Sequence, residues 1–155
     1  MSRMKLNLSV CFLAAFLAAS AHAGTIYVDV NATGNPDGQS WCTAWTDLRL
    51  AILFSTFGDE IRVADGTYTP VDCPSCTSTS PEREISFALR NGVVFKGGYG
   101  GCNAGNPDGR GNVSVLSGNI RGTFPPPNNN AFSYHVVTGD SSITSATVLD
   151  GFTIR

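Results

Sequence analysis

Val94-Phe95-Lys96-Gly97, Val115-Leu116-Ser117-Gly118 and Val136-Val137-Thr138-Gly139 each place an apolar pair and a polar residue before a glycine, and the three glycines stand 21 residues apart. Val63-Ala64-Asp65-Gly66 and Val148-Leu149-Asp150-Gly151 carry the same pattern on either side. Short Val- and Ile-containing runs bounded by turn residues read as strands. A fixed period in this range predicts a solenoid, in which each unit buries its face by stacking on the next. Leucine-rich repeats would demand Leu at fixed offsets, which this region lacks. The pattern instead suits a coil of three brief strands and three turns, with glycines at the corners where the backbone needs positive φ or close approach. The 12-residue step from Gly139 to Gly151 then reads as a second strand within one coil.

Upstream, Thr25-Ile26-Tyr27-Val28-Asp29-Val30 alternates as a half-buried strand should. Gly34-Asn35-Pro36-Asp37-Gly38 is a turn. From about Thr43 to Phe57 the period becomes helical, with Trp41, Trp45, Leu48 and Ile52 near one face, Thr43, Thr46 or Asp47 as N-cap, and Gly58 as the stop. Open strand edges at the start of a stack invite aggregation. The helix is therefore expected to be a lid, with Trp41, Trp45 and Leu48 capping the first coil; a surface-exposed indole would instead suggest sugar binding.

The first residues set the compartment. Arg3 and Lys5 precede an apolar run from Leu6 to Ala19, and Ala21-His22-Ala23 forms a small-x-small cleavage site. That order predicts a secretory signal over residues 1–23. The run falls short of the roughly 20 residues that span a bilayer. Three regions follow: the signal at 1–23, a strand and capping helix at 24–58, and the first coils at 59–155. Cleavage leaves 8 basic against 12 acidic residues and moves the formal net charge from −2 to −4. No cluster of Lys and Arg remains to hold phosphate, which argues against nucleic acid. Nothing after the signal is long and apolar enough to cross a membrane.

Cys42, Cys73, Cys76 and Cys102 remain after export. An even count in an oxidising compartment reads as two disulfides, with three possible pairings, of which Cys73 to Cys76 with Cys42 to Cys102 is favoured. Cys73-Pro-Ser-Cys76 also has the spacing of a redox pair, the main alternative, or of half a zinc site, which would need four ligands, usually Cys and His, while His135 is the only histidine after the signal and stands far along the chain.

Several segments match a known pattern in order: Thr25-Ile26-Tyr27-Val28-Asp29, Ser40-Trp41, Thr46-Asp47-Leu48, Gly58 through Pro70, Gly97-Gly98-Tyr99, Val115 through Ile120, and Val148 through Ile154. Together they resemble the N-terminal part of secreted bacterial right-handed parallel β-helix proteins of the pectin-lyase-like fold, most closely the surface type with a C-terminal anchoring segment. The resemblance implies an all-β solenoid whose open end is covered by further coils or a self-partner. It implies fold more than function, because the matching residues are turn and core positions. The chain ends at Arg155 in what reads as mid-strand, so a truncated product or partial sequence is expected.

Candidate chemistry is thin. Gly-Asn-Pro-Asp-Gly occurs at 34–38 and 105–109. Such loops sometimes hold calcium, but each offers one carboxylate where calcium takes about six to eight oxygens, so turns are the reading taken. Gly97-Gly98-Tyr99-Gly100-Gly101 lacks the Gly-Lys-Ser/Thr of a phosphate loop. His135 sits in an ordinary strand pattern rather than a triad. Asp59, Glu60, Asp65, Asp140 and Asp150 are possible sugar-cleaving carboxylates without identifiable partners. Pectate-lyase relatives set an acidic calcium cluster beside a basic residue on central coils. Arg62, Arg90 and Arg121 have no acidic ladder beside them in sequence. No catalytic, cofactor-binding or metal-binding residue is therefore assigned. Two insertions, 71–84 and 122–130, are the segments placed to touch a partner, with tolerated decoration of the scaffold as the bland reading weighed against it. The functional expectation is an exported, non-catalytic surface segment for adhesion or glycan binding, with a polysaccharide lyase or hydrolase fragment as the rival.

Overall fold

The computed structural model describes residues 23–122 and 132–155. Nine short strands and one α-helix occupy the described residues. β1 (Thr25–Val28), β2 (Glu60–Ala64), β5 (Val94–Tyr99) and β8 (Val148–Asp150) form one sheet, in that order. β3 (Gly66–Tyr68), β6 (Ser114–Leu116) and β9 (Phe152–Ile154) form a second; β4 (Phe87–Ala88) and β7 (Val137–Thr138) form a third. Every strand pair is parallel. The helix, α1, spans Leu48–Phe54.

The protein is thus a small α/β structure with short parallel strands in three sheets and one helix, and the expectation of an all-β parallel β-helix solenoid is corrected. The placement of the repeated glycines overturns it. The 21-residue glycine period is not a structural repeat: Gly97 lies within β5 of the first sheet, Gly118 follows β6 of the second, and Gly139 follows β7 of the third. The spacing therefore records three different environments rather than one unit stacked on its copies. The helix is also part of the main core: Leu48, Ala51 and Ile52 are buried in the same cluster as Val28, Ile61, Val63, Phe95 and Leu116.

Alternation within the first sheet decides what faces inward. Ile26, Ile61, Phe95 and Leu149 are register partners across β1, β2, β5 and β8 and line the core. Ile61 and Phe95 are essentially inaccessible, at 0% and 1% exposure. Side chains one residue along point the other way, as the pleat requires.

α1 is shorter than its sequence period suggested. Asp47 is the N-cap and accepts from the Arg49 N–H at 2.8 Å. Ser55, not Gly58, closes the helix, with its N–H on the carbonyls of Ala51 and Ile52. The Arg90 guanidinium donates to Leu53 O at 2.7 Å, satisfying another terminal carbonyl. Leu48 is buried, Trp45 packs against the main core and stacks on Phe54 at 5.4 Å, while Trp41 lies in a separate cluster with Ala64 and Tyr99.

Buried polar side chains join the sheets. Ser114 Oγ, fully buried, donates to Ala64 O at 2.7 Å and accepts from the Gly98 N–H at 2.8 Å. Gly97 has to lack a side chain, since a Cβ there would stand 2.6 Å from Gly151 O. Asp29, also buried, accepts from the N–H groups of Asn31 and Cys102, both at 2.8 Å.

Candidate functional site

The outward row of the first sheet carries the most concentrated set of polar side chains. Register places Tyr27 beside Arg62, Arg62 beside Lys96, and Lys96 beside Asp150. Adjacent strands lie about 4.8 Å apart, so four consecutive side chains cover a strip of roughly 15 Å. Glu60, two residues before Arg62 and on the same face, bridges the cations: its Oε1 is 2.6 Å from Arg62 Nε and its Oε2 is 2.6 Å from Lys96 Nζ. Arg62, Lys96 and Glu60 remain 30%, 34% and 22% exposed, which leaves each a solvent-facing side.

The second Gly-Asn-Pro-Asp-Gly turn forms one wall. Asp108 Oδ1 accepts from Trp41 Nε1 at 3.0 Å and lies 3.6 Å from Arg62 Nη1. Arg110, just beyond that turn, pairs with Asp150 at 2.8 Å. The guanidinium carbons of Arg62 and Arg110 sit 5.6 and 5.5 Å from the Tyr99 ring centroid. Tyr27 meets Trp41 edge-on at 4.8 Å. Trp41 and Tyr99 are buried, so they support the row from below, and Tyr27 is the aromatic that reaches partly into solvent.

Three cations, Arg62, Lys96 and Arg110, face three carboxylates, Glu60, Asp108 and Asp150, so the strip is formally neutral. Burial pushes the Glu60 carboxyl up, but hydrogen bonds from Lys96 and Arg62, with their charges, outweigh it and leave the group below its ordinary value. A carboxyl held low is a permanent acceptor and a poor general acid.

The remaining sequence candidates lie elsewhere. Asp59 is buried at the start of β2; burial raises it, but donors from Gly24 and Thr56 outweigh that and lower it. Asp140 accepts from the N–H and hydroxyl of Ser142 in an exposed turn. His135 is exposed ahead of β7. Arg90 caps α1, and Arg121 donates to Pro74 O at 3.0 Å. Asp37 of the first Gly-Asn-Pro-Asp-Gly turn accepts from the Gln39 N–H. The Gly97–Gly101 run offers no phosphate cradle: the N–H groups of Gly98, Gly100 and Gly101 are taken by Ser114 Oγ and, for the latter two, Pro107 O.

Both disulfides are present, Cys42–Cys102 and Cys73–Cys76. The first spans 60 residues and the second 3. By loop-closure entropy the long loop contributes about 4 kcal/mol and the short one about 2 kcal/mol. The short bridge lies beside Glu82, from the 3-10 turn Pro81–Glu84; the two Sγ atoms and a Glu82 carboxylate oxygen lie within 4.8 Å of one another. Sequence spacing pointed to the cysteine pair but not to Glu82, which reaches it only because the turn folds back.

No helix among the described residues is long and apolar enough to cross a membrane. The secretory signal at 1–23 lies, apart from Ala23, outside the described residues, as does nearly all of the 122–130 insertion. No family model, curated protein or solved structure matches the chain, so the resemblance drawn from its motifs rests on those motifs alone.

Proposed function

We propose that the chain is an exported, non-catalytic binding module that holds a neutral polysaccharide along the Tyr27–Arg62–Lys96–Asp150 row. The observation that carries this reading is the register of that row: four partly exposed polar side chains fixed on adjacent strands of one sheet, with the Glu60 carboxylate joining its two neighbouring cations, Arg62 and Lys96. Sites on regular elements hold their geometry better than sites on loops. Sugar hydroxyls both donate and accept, and pairs such as Glu60–Lys96 and Arg110–Asp150 offer both roles within one hydroxyl's reach. Formal neutrality of the strip favours an uncharged chain over a uronate or a phosphate polymer. Two disulfides suit an oxidising destination. The rival reading, a lyase or hydrolase fragment, draws no support from Glu60, whose carboxyl is held low.

Electrophoresis of the folded protein through native gels with and without dissolved neutral glucan, xylan or galactan, and with polygalacturonate, tests the reading. Retardation by a neutral polymer that disappears in the Arg62→Ala/Lys96→Ala double variant supports it. Retardation by polygalacturonate alone, or equal retardation of wild type and variant, overturns it.

A further inference from the structure

The Cys73–Cys76 corner is not used by the glycan row. Its backbone is anchored to the body of the protein at two points: the Cys73 N–H donates to Ile120 O at 2.6 Å and Arg121 Nε donates to Pro74 O at 3.0 Å. Cys76 is buried, at 3% exposure, and its Sγ lies 4.0 Å from Glu82 Oε2. A C-x-x-C pair is the usual half of a zinc site, and three protein ligands plus water are enough for an open one. With metal–sulfur bonds of about 2.3 Å, two thiolates on a tetrahedral ion stand about 3.7 Å apart. The Cα atoms of Cys73 and Cys76 stand 5.5 Å apart, so opening the bridge needs only side-chain rotation to reach that separation, and a Glu82 carboxylate oxygen already lies within 4.8 Å of both sulfurs.

We propose that reduction of the Cys73–Cys76 disulfide converts this corner into a binding site for a thiophilic divalent cation of the zinc class, held by Cys73, Cys76 and Glu82. In the reduction, a dithiol reductant gives two electrons and two protons to the disulfide and becomes a disulfide itself. The two thiols formed then lose their protons as the cation binds, so that one M²⁺, two thiols and one carboxylate give a complex of net charge −1 and two released protons. The bridge and the metal are mutually exclusive. The corner therefore takes up metal in reducing surroundings and excludes it in oxidising ones.

The test uses the full chain and Co²⁺ as a visible probe. Protein reduced with a phosphine, which becomes its oxide, is titrated with Co²⁺ while thiolate-to-metal absorption is followed and the fold is checked by circular dichroism. One Co²⁺ per reduced chain is expected, with none bound by the oxidised chain. Glu82→Gln, which leaves all four cysteines in place, should retain the thiolate band with affinity lower by at least about tenfold. Cys73→Ser/Cys76→Ser, which keeps Cys42 and Cys102, should lose the band. Binding unaffected by Glu82→Gln, one Co²⁺ per two chains, a band surviving in the double serine variant, or no binding by the reduced chain would each overturn the proposal.

Discussion

Lys96 Nζ stands 2.6 Å from Glu60 Oε2, reaching across the β2–β5 pair to a carboxylate that Arg62 also holds from its own strand. One acidic side chain thus joins two cations that register alone would leave side by side and mutually repelling. Folding lowers the Glu60 pKa from its ordinary 4.5. A group lowered on folding contributes stability that is present above the unfolded value and is lost as pH falls through the folded one. The difference in unfolding free energy between wild type and Glu60→Gln should therefore be constant above about pH 5 and shrink below 4.5. Thermal melts across that range check it; a difference that grows on acidification would contradict the assignment.

Removing the long disulfide should matter more than removing the short one. Cys42→Ser/Cys102→Ser should lose about 3–4 kcal/mol and Cys73→Ser/Cys76→Ser about 1–2 kcal/mol, measured by denaturant unfolding. Equal losses would show that the Cys73–Cys76 bridge does more than close a short loop.

Ser114 is a buried hydroxyl with a donor and an acceptor partner in different strands. Ser114→Ala strands the Gly98 N–H inside the protein and removes one of the two hydroxyls that donate to the Ala64 carbonyl, the other being Tyr68, and should cost about 1–3 kcal/mol. A change below about 0.5 kcal/mol in denaturant unfolding would mean that water replaces the hydroxyl.

Phe95 fills the centre of the inward row. Phe95→Ala should destabilise by about 3–5 kcal/mol through lost burial and the cavity left behind. Lys96→Ala, its outward neighbour, should cost about 1 kcal/mol or less because that ammonium is partly hydrated. Comparable losses at the two positions would refute the division of the sheet into an inner and an outer face.

Much of this was legible locally and little of it globally. Alternation over Thr25 to Val30 pointed to a half-buried strand, and apolar pairs such as Val94-Phe95 and Val148-Leu149 pointed to short strands. The helix was legible from its period, although Ser55 ended it before Gly58 because a cap needs a partner for terminal carbonyls and not glycine in particular. The glycine period misled for a physical reason. Glycine marks tight backbone approach, and approach is demanded at several unlike corners of a small structure. Gly97, within the first sheet, faces Gly151 at the bend between β8 and β9, whereas Gly139 packs near Ile143. In the candidate site, Arg62 and Glu60 were visible as charged residues, but Lys96, Asp108 and Arg110 come from segments far apart in sequence and meet only through register and the second Gly-Asn-Pro-Asp-Gly turn. A pairing offset carries no local signature.

Salt offers a further check on the binding strip. Three cations balanced by three carboxylates leave no net field for a polymer to respond to, so affinity for a neutral glycan should change less than about threefold between about 50 and 500 mM salt. A steep loss would indicate a polyanion as the true occupant.

The most direct measurement is backbone amide mapping by nuclear magnetic resonance as a neutral oligosaccharide is titrated into the folded protein. Binding along the row predicts that the largest shifts fall on Tyr27, Arg62, Lys96, Asp150 and the Asp108 turn, with α1 and the third sheet unmoved. Shifts confined to other surfaces, or none at millimolar ligand, would contradict it.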